Sequence, residues 1–441
     1  MSIEDERLQK FLGDGNCLIV EPSSAFSSSL QKCLKDMGIP LSRVQTSRKF
    51  EDAKRLIAEK KPKLLVTEYE IEQSFGLALI EMQEQYHGEM SRISAIVTKN
   101  NSDSAVAEAA EEQVDLYILK PFSVDTFKQK MNAAIHRKVS PSPYAQKVQA
   151  GKRFLEAKEF EGAIQEFFQA KPLQEKPTLA CFYAGQTFHA QGNKAAALAE
   201  FQAGRRHQAL HYKCLIGEFE MLVEERRFKE AYALVPLIRD NYPLTSHRLG
   251  QIFIAAVFTY NFDDLRLYYN LFLKLEQRPP QLIKLTSMAL LTAGRFALKE
   301  KDIRKASVFY EMGIITTGRN IEFIEAVVSD LLKIKASNEA EAFLAKVAQS
   351  DVGTSRFKQL AFRVDEQTLR KDQVIEKGRK LVIAGEGNPE IFQSLVRLMA
   401  EEGKITMAET VISTAVAKHP ELRDALYKIL EESKPPAKPA E

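Results

Sequence analysis

Residues 64–76, LLVTEYEIEQSFG, put a carboxylate where it could do chemistry. The apolar run Leu64-Leu65-Val66 leads to Glu68, and Gly76 follows eight residues later. A carboxylate at the end of such a run can accept a phosphoryl group, ligate a cation or pair with an ammonium group. Other apolar runs end in comparable residues. CLIV (17–20) leads to Glu21-Pro22, ISAIV (93–97) to Thr98, and DLYIL (115–119) holds Tyr117 and leads to Lys120. A second cluster, His207, His211 and Cys214, falls at i, i+4 and i+7, a spacing that could hold a metal. No carboxylate accompanies it to orient the imidazoles, so these three read as surface and packing residues and no metal is assigned. Arg205-Arg206 and Arg226-Arg227 are interleaved with Glu200, Glu218, Glu224 and Glu225, the pattern of a solvated face. No GxSxG, P-loop, HExxH or cyclase signature occurs, and the chain is read as non-enzymatic.

Those run ends need a scaffold. Between residues 16 and 137, short β-branched runs alternate with helical patterns such as Phe26, Leu30, Leu34 and Met37. Ala53, Leu56 and Ile57 make a second pattern, Val106, Ala109 and Ala110 a third, and Phe127, Met131 and Ile135 a last one. Strand–helix alternation of this length predicts a parallel sheet covered on both faces. A weaker run around Arg43-Val44-Gln45 brings the strands to five, and five strands with five helices give a doubly wound, flavodoxin-like (βα)5 domain, whose functional residues sit at the carboxyl ends of the strands. The segment RKVSPSPY (137–144) then interrupts, and helical patterning continues almost to the end. The expected domains are residues 1–137, a linker over 138–143, an all-α solenoid over 144–430 and a disordered tail over 431–441, EESKPPAKPAE.

Composition bounds the function classes. The 441 residues carry a formal charge of only +3, which gives no general basic field for nucleic acid. No apolar run is long enough to span a membrane, and the acidic start MSIEDERLQKFLGDG is no secretory signal. Cys17, Cys33, Cys181 and Cys214 are scattered without CxxC spacing, as reduced core cysteines of a cytoplasmic protein are.

On the quoted runs, residues 15–137 resemble a response-regulator receiver domain, CheY-like in fold. The Lys120-Pro121-Phe122 triplet after an apolar strand carries most of the likeness, strengthened by Thr98 and Tyr117 at their offsets. In that family two acidic residues after the first strand hold Mg²⁺, an Asp after the third accepts phosphate, and Thr and Lys bind phosphoryl oxygens. Here the acidic pair is Glu21-Pro22, and proline offers no side-chain oxygen. The acceptor position is Glu68, one methylene longer, so its carboxylate reaches about 1.5 Å further. Glu72 stands where receivers usually have Pro. The resemblance therefore implies a pseudo-receiver with its phosphate-binding half kept and its metal half degraded, so Mg²⁺ support is weak or lost and no cofactor is expected. Two readings of Glu68 stay open. It reaches Lys120 and Thr98 as a partial stand-in for phospho-aspartate, or it pairs with Lys120 in a retired site.

The helical part repeats. Ala163, Ala197, Ala231 and Leu265 are each 34 residues apart and, after a slip of seven, so are Ala306, Ala340, Val374 and Ala408. Four residues on come Phe167, Phe201, Val235, Tyr269, Tyr310, Leu344, Gly378 and Ile412, and twelve before come Gly151, Gly185 and Gly294 in three units. This pattern resembles the tetratricopeptide repeat (TPR), in about eight units. The slip is expected near Arg278-Pro279-Pro280, Pro243 and Pro420 close the third and eighth units, and Gly378 leaves the seventh in doubt.

The resemblance implies that a concave face binds a protein through the first helix of each unit. By register the candidates are Phe182, Gln186 and His189 in unit two, and Ile216, Glu220 and Val223 in unit three. A clamp for a chain-terminal carboxylate would use Val148, Lys152, Phe182 and Gln186, and its Lys/Asn pattern is absent. The implied protein is a cytoplasmic, bacterial two-component adaptor or scaffold with protein partners and neither membrane nor nucleic acid among them. Ala105–Ala110, Tyr117 and Phe122–Met131 supply a second surface that could form a homodimer. The alternative is a phosphorylatable response regulator of a phosphorelay with a TPR output.

Overall fold

The computed structural model describes residues 3–72, 74–100, 114–242, 244–275 and 278–434. The chain divides into two compact units, Met1–Thr245 and Ser246–Glu441.

In the first unit, β1 (Cys17–Val20), β2 (Val44–Ser47), β3 (Leu64–Thr67), β4 (Ile93–Thr98) and β5 (Leu116–Leu119) form one sheet in the order β2-β1-β3-β4-β5. All neighbours are parallel, and their registers align the carboxyl ends. Every residue of β1, β3 and β4 is buried, which is why CLIV, LLVT and ISAIVT read as continuous apolar runs rather than alternating ones. One face is covered by α1 (Ile3–Leu12), α2 (Ser24–Asp36) and α5 (Val124–Val139), the other by α3 (Phe50–Lys60) and α4 (Gly76–Glu84). Sequence reading missed α1, whose Leu8 and Leu12 join the core. The helix expected at Val106, Ala109 and Ala110, and with it the surface at Ala105–Ala110, lies outside the described residues.

The linker is shorter than 138–143. Helix α5 runs to Val139, and Ser142 caps α6 (Pro143–Glu156) by accepting the Ala145 amide, with Pro143 in the first turn. Pairs of helices follow in the same unit: α6 with α7 (Phe160–Ala170), α8 (Thr178–Ala190) with α9 (Lys194–His207), and α10 (Tyr212–Glu224) with α11 (Phe228–Asn241).

The second unit continues with α12 (Ser246–Phe258) and α13 (Leu265–Lys274), α14 (Pro280–Lys299) and α15 (Ile303–Thr316), and α16 (Ile321–Lys333) and α17 (Ser337–Leu344). It ends with α18 (Ser355–Thr368) and α19 (Lys371–Ile383), α20 (Pro389–Glu401) and α21 (Ile405–Lys418), and a single α22 (Arg423–Glu432). The seven-residue slip adds no loop. Helix α14 has 20 residues where α12 has 13, so the insertion after Pro279-Pro280 forms two extra turns. The tail expected from 431 is helical to Glu432 because Leu430 is buried, and 435–441 lie outside the described residues, as does Pro243.

The repeat is a packing device. A Cβ on Gly151 would stand 2.5 Å from Phe167, and one on Gly185 2.6 Å from Phe201, so the glycines let an aromatic ring of the second helix press on the first. Gly294 and Tyr310 interlock in the same way. Unit seven folds as a helix pair despite Gly378, because the partners are exchanged. Phe362 sits on the first helix, twelve residues before Val374, and a Cβ on Gly378 would lie 2.7 Å from its ring and 2.6 Å from Leu395. The turn between paired helices also repeats: Lys158, Gly192, Arg226, Tyr260, Lys301, Lys335 and Gly403 all have left-handed φ.

The exchange predicts coupled substitutions. Gly378→Ala overpacks the contact and costs about 1–3 kcal/mol, while Phe362→Ala leaves a cavity costing about 3–5 kcal/mol. In urea unfolding, F362A/G378A should be less destabilised than the sum of the two. Additive effects would mean that the ring and the glycine do not share one space.

Candidate functional site

The carboxyl ends of β1, β3 and β5 bring Glu21, Glu68 and Lys120 together. The Glu21 amide donates to Ser47 O and the Glu68 amide to Val20 O, each 2.9 Å, so both residues extend the sheet pairing by one step. Lys120 N donates to Thr98 O at 2.8 Å, and the Lys120–Pro121 peptide is cis. Lys120 Nζ then lies 2.5 Å from Glu21 Oε2 and 2.5 Å from Glu68 Oε2. The remaining carboxylate oxygens accept backbone amides, Glu21 Oε1 from Ser23 and Glu68 Oε1 from Tyr69, both at 2.9 Å. The Phe26 ring closes the site, with its centre 4.7 Å from the ammonium. The Lys120 and Glu21 side chains are 2% exposed, and Glu68 is 15% exposed.

The other expected residues point elsewhere. Thr98 is buried, and its Oγ1 accepts the Asn100 amide at 3.1 Å. Half-buried Tyr117 donates its hydroxyl to Asn100 O at 2.7 Å, and its own carbonyl accepts Lys130 Nζ at 3.0 Å. Pro22 is exposed beside Glu21. Glu72 has φ +57°, which a proline ring forbids, so the loop after β3 follows a path closed to proline at this position. Gly76 is required by close approach, since its Cβ would run into the Glu68 carbonyl and lie 2.8 Å from Thr67 Oγ1.

A second ionic group occupies the opposite end of the sheet, and sequence reading missed it. Asp115 accepts the Ser94 amide at 3.0 Å and lies 2.7 Å from Lys138 Nζ. Lys138 also donates to Glu89 O, and Glu89 is ion-paired with Lys152 of α6. Burial pushes the Asp115 carboxyl up, partly offset by Lys138, and pushes the Lys138 ammonium down, partly offset by Asp115. The signal is the basic end of α5, HRK at 136–138, of which Lys138 falls within the expected linker 138–143.

The partner-binding candidates divide by burial. Gln186 and His189 are exposed, and His189 Nε2 lies 2.9 Å from Glu224. Phe182 is half-buried against Tyr183 and Phe201, and Glu220 and Val223 are half-buried. Ile216 is 5% exposed and belongs to the core, because its neighbour Gly217 presses on Phe201 and carries that helix face inward. In the second unit a polar groove of about 590 Å³ crosses α16, α18 and α20, lined by Lys333, Arg363, Glu366, Gln367 and Arg397 among others. Arg363 and Arg397 are 34 apart, at the register of Gln186, so the repeat itself pointed to them.

His207, His211 and Cys214 do not converge on a metal. His211 Nδ1 caps α10 by accepting the Cys214 amide at 3.4 Å, and Cys214 Sγ is buried against Thr178 O, also at 3.4 Å. Burial pushes the Cys214 thiol up to about 12. Arg205 pairs with Glu218 and Arg227 with Glu230.

Residues 17–132 match the family described as the response regulator receiver domain. No curated protein gives a significant match. Among solved structures, the chain is similar to a tetratricopeptide repeat protein from Parabacteroides merdae at 12% identity, over 57% of this chain and 97% of that one, with a TM-score of 0.33. It is similar to Naa15/Naa10 bound to HypK-THB at 14% identity, over 67% and 45%, with a TM-score of 0.48. It is also similar to Pseudomonas aeruginosa pilF at 16% identity, over 56% and 94%, with a TM-score of 0.20.

Two outcomes follow from the geometry. Lys120→Met leaves two carboxylates without their cation and should cost about 3–5 kcal/mol in urea unfolding, with E21Q in the same background recovering part of it. An unchanged midpoint would show that the ammonium is not their counter-charge. His211 gives a pH dependence. Burial, then Lys213, lowers its pKa below 6.5, and its cap needs an unprotonated Nδ1. The cap's stability is therefore present above pH 6.5 and lost as pH falls through the lowered value. H211N supplies a cap that does not titrate, so between pH 7.5 and 5.5 the wild type should lose about 1 kcal/mol more than H211N. Parallel losses would refute it.

Proposed function

We propose that the protein is a non-enzymatic, two-component-type signalling adaptor. Its receiver-like domain is held in one state by an internal ion pair, and its TPR-type solenoid binds protein partners. The observation that carries this reading is Lys120 Nζ at 2.5 Å from both Glu21 and Glu68. The cation that a phosphoryl group would need is already engaged, and Glu68 fills the space in front of it. Of the two readings of Glu68, the retired site is favoured, because Thr98 Oγ1 is turned to the Asn100 amide.

The polar groove over α16, α18 and α20 and the exposed Gln186 and His189 are the surfaces on which a partner segment would lie. Tyr117 and α5 offer the surface for a homodimer. Among the described residues no helix is long and apolar enough to cross a membrane, and we place the protein in the cytoplasm. Retention of Thr98, Tyr117 and Lys120 favours the second reading, a phosphorylatable regulator with a TPR output.

Incubation with Mg²⁺ and acetyl phosphate separates the two. The adaptor reading expects no phosphoryl mass shift on Glu68 and no change in the proteins captured by the full chain. A shift localised to Glu68 would establish the regulator instead.

A further inference from the structure

The first repeat already holds a carboxylate. Lys152 lies eleven residues before Ala163, the register of Gln186 before Ala197 and Glu220 before Ala231. Its ammonium is ion-paired with Glu89, from the short 3-10 turn Glu89–Ser91 that precedes β4. It also stands 5.0 Å from the centre of the Tyr183 ring on α8. The turn is fastened from behind by Lys138, which donates to Glu89 O and pairs with Asp115. Burial alone would lower the Lys152 ammonium, but Tyr183 and Glu89 outweigh it and its pKa is raised. The Lys152 side chain is 10% exposed while Glu89 is 32% exposed, so the carboxylate is the half of the pair that solvent reaches. A cleft of about 540 Å³ opens beside it, lined by Glu89, Arg137, Tyr183, His211, Tyr212 and Lys213 among others.

We propose that Glu89 is an internal ligand of the solenoid: it fills a carboxylate site made by Lys152 and Tyr183, and an acidic segment of a partner protein takes that site when the Glu89–Ser91 turn is displaced. The inference rests on the solenoid being a partner-binding module. Charge selects the occupant. With Glu89 withdrawn, Arg137 and Lys213 of the cleft lining, Lys152 beside it and Lys138 behind the turn would outnumber the nearby carboxylates Asp115 and Glu156, the latter acting on Tyr183. A nearly buried ammonium left without counter-charge is costly, so a segment that displaces Glu89 has to bring a carboxylate of its own. Tethering gives Glu89 a high effective concentration, on the order of mM, which sets the threshold that a free acidic segment must overcome.

The test uses the full chain and a fluorescently labelled hexaglutamate peptide, followed by anisotropy at low ionic strength. Glu89→Gln should tighten binding at least tenfold over wild type, and E89Q/K152M should abolish the gain. Hexalysine should bind neither protein. The second measurement needs no variant: saturating hexaglutamate should speed amide hydrogen exchange across residues 89–92 of the wild-type chain. Affinity within twofold of wild type in folded E89Q, or a gain that survives in E89Q/K152M, overturns the proposal, as does unchanged exchange at 89–92 under saturation. A cellular protein captured equally by wild type and E89Q would leave the partner-binding reading standing and overturn the internal-ligand site alone.

Discussion

An ammonium group with almost no access to water has to be met by negative charge, and Lys120 meets two carboxylates. The three residues come from the ends of β1, β3 and β5, so the pairing exists only when the parallel sheet is in register. Their geometry fixes the chemistry. A cation shared by Glu21 and Glu68 has its charge met and two of its three N–H donors engaged, and the other oxygens of both carboxylates accept the amides of Ser23 and Tyr69. The surrounding departures agree with this. Pro22 supplies no side-chain oxygen, and Glu72 takes a backbone conformation closed to proline.

The same sheet carries charge at its other end. Asp115 and Lys120 flank β5, a strand of four residues, and each is tied into its own ionic group. One group closes the site at the carboxyl ends of the strands. The other reaches through Lys138 and Glu89 to Lys152 of α6. A short, rigid strand therefore separates the receiver-like site from the contact with the first repeat. The first three helix pairs lie in the same compact unit as the sheet.

In the helical part the constraint is volume. Where a glycine faces a ring, the ring of one paired helix seats against the backbone of the other, and the space can be filled from either side. Gly151 with Phe167 and Gly378 with Phe362 are one solution with the two partners exchanged. A fixed 34-residue period tolerates that exchange because the helix starts are kept. Even the seven-residue insertion was absorbed as two whole turns of α14 without disturbing the pairing that follows.

The amino-acid sequence determined the order of strands and helices, the repeat period and the identity of Glu21, Glu68 and Lys120, because apolar runs, 34-residue spacing and strand-end residues are local or periodic signals. It also contained the Phe362–Gly378 exchange, which becomes visible once positions −12 and +4 of a unit are compared as a pair. Tertiary structure alone decided that Lys120 bridges both carboxylates, that Thr98 turns to Asn100, that Ile216 is core and that Glu89 meets Lys152. Those contacts join residues up to 99 positions apart. They depend on where a side chain finds its counter-charge or its space after folding, and no spacing along the chain encodes that.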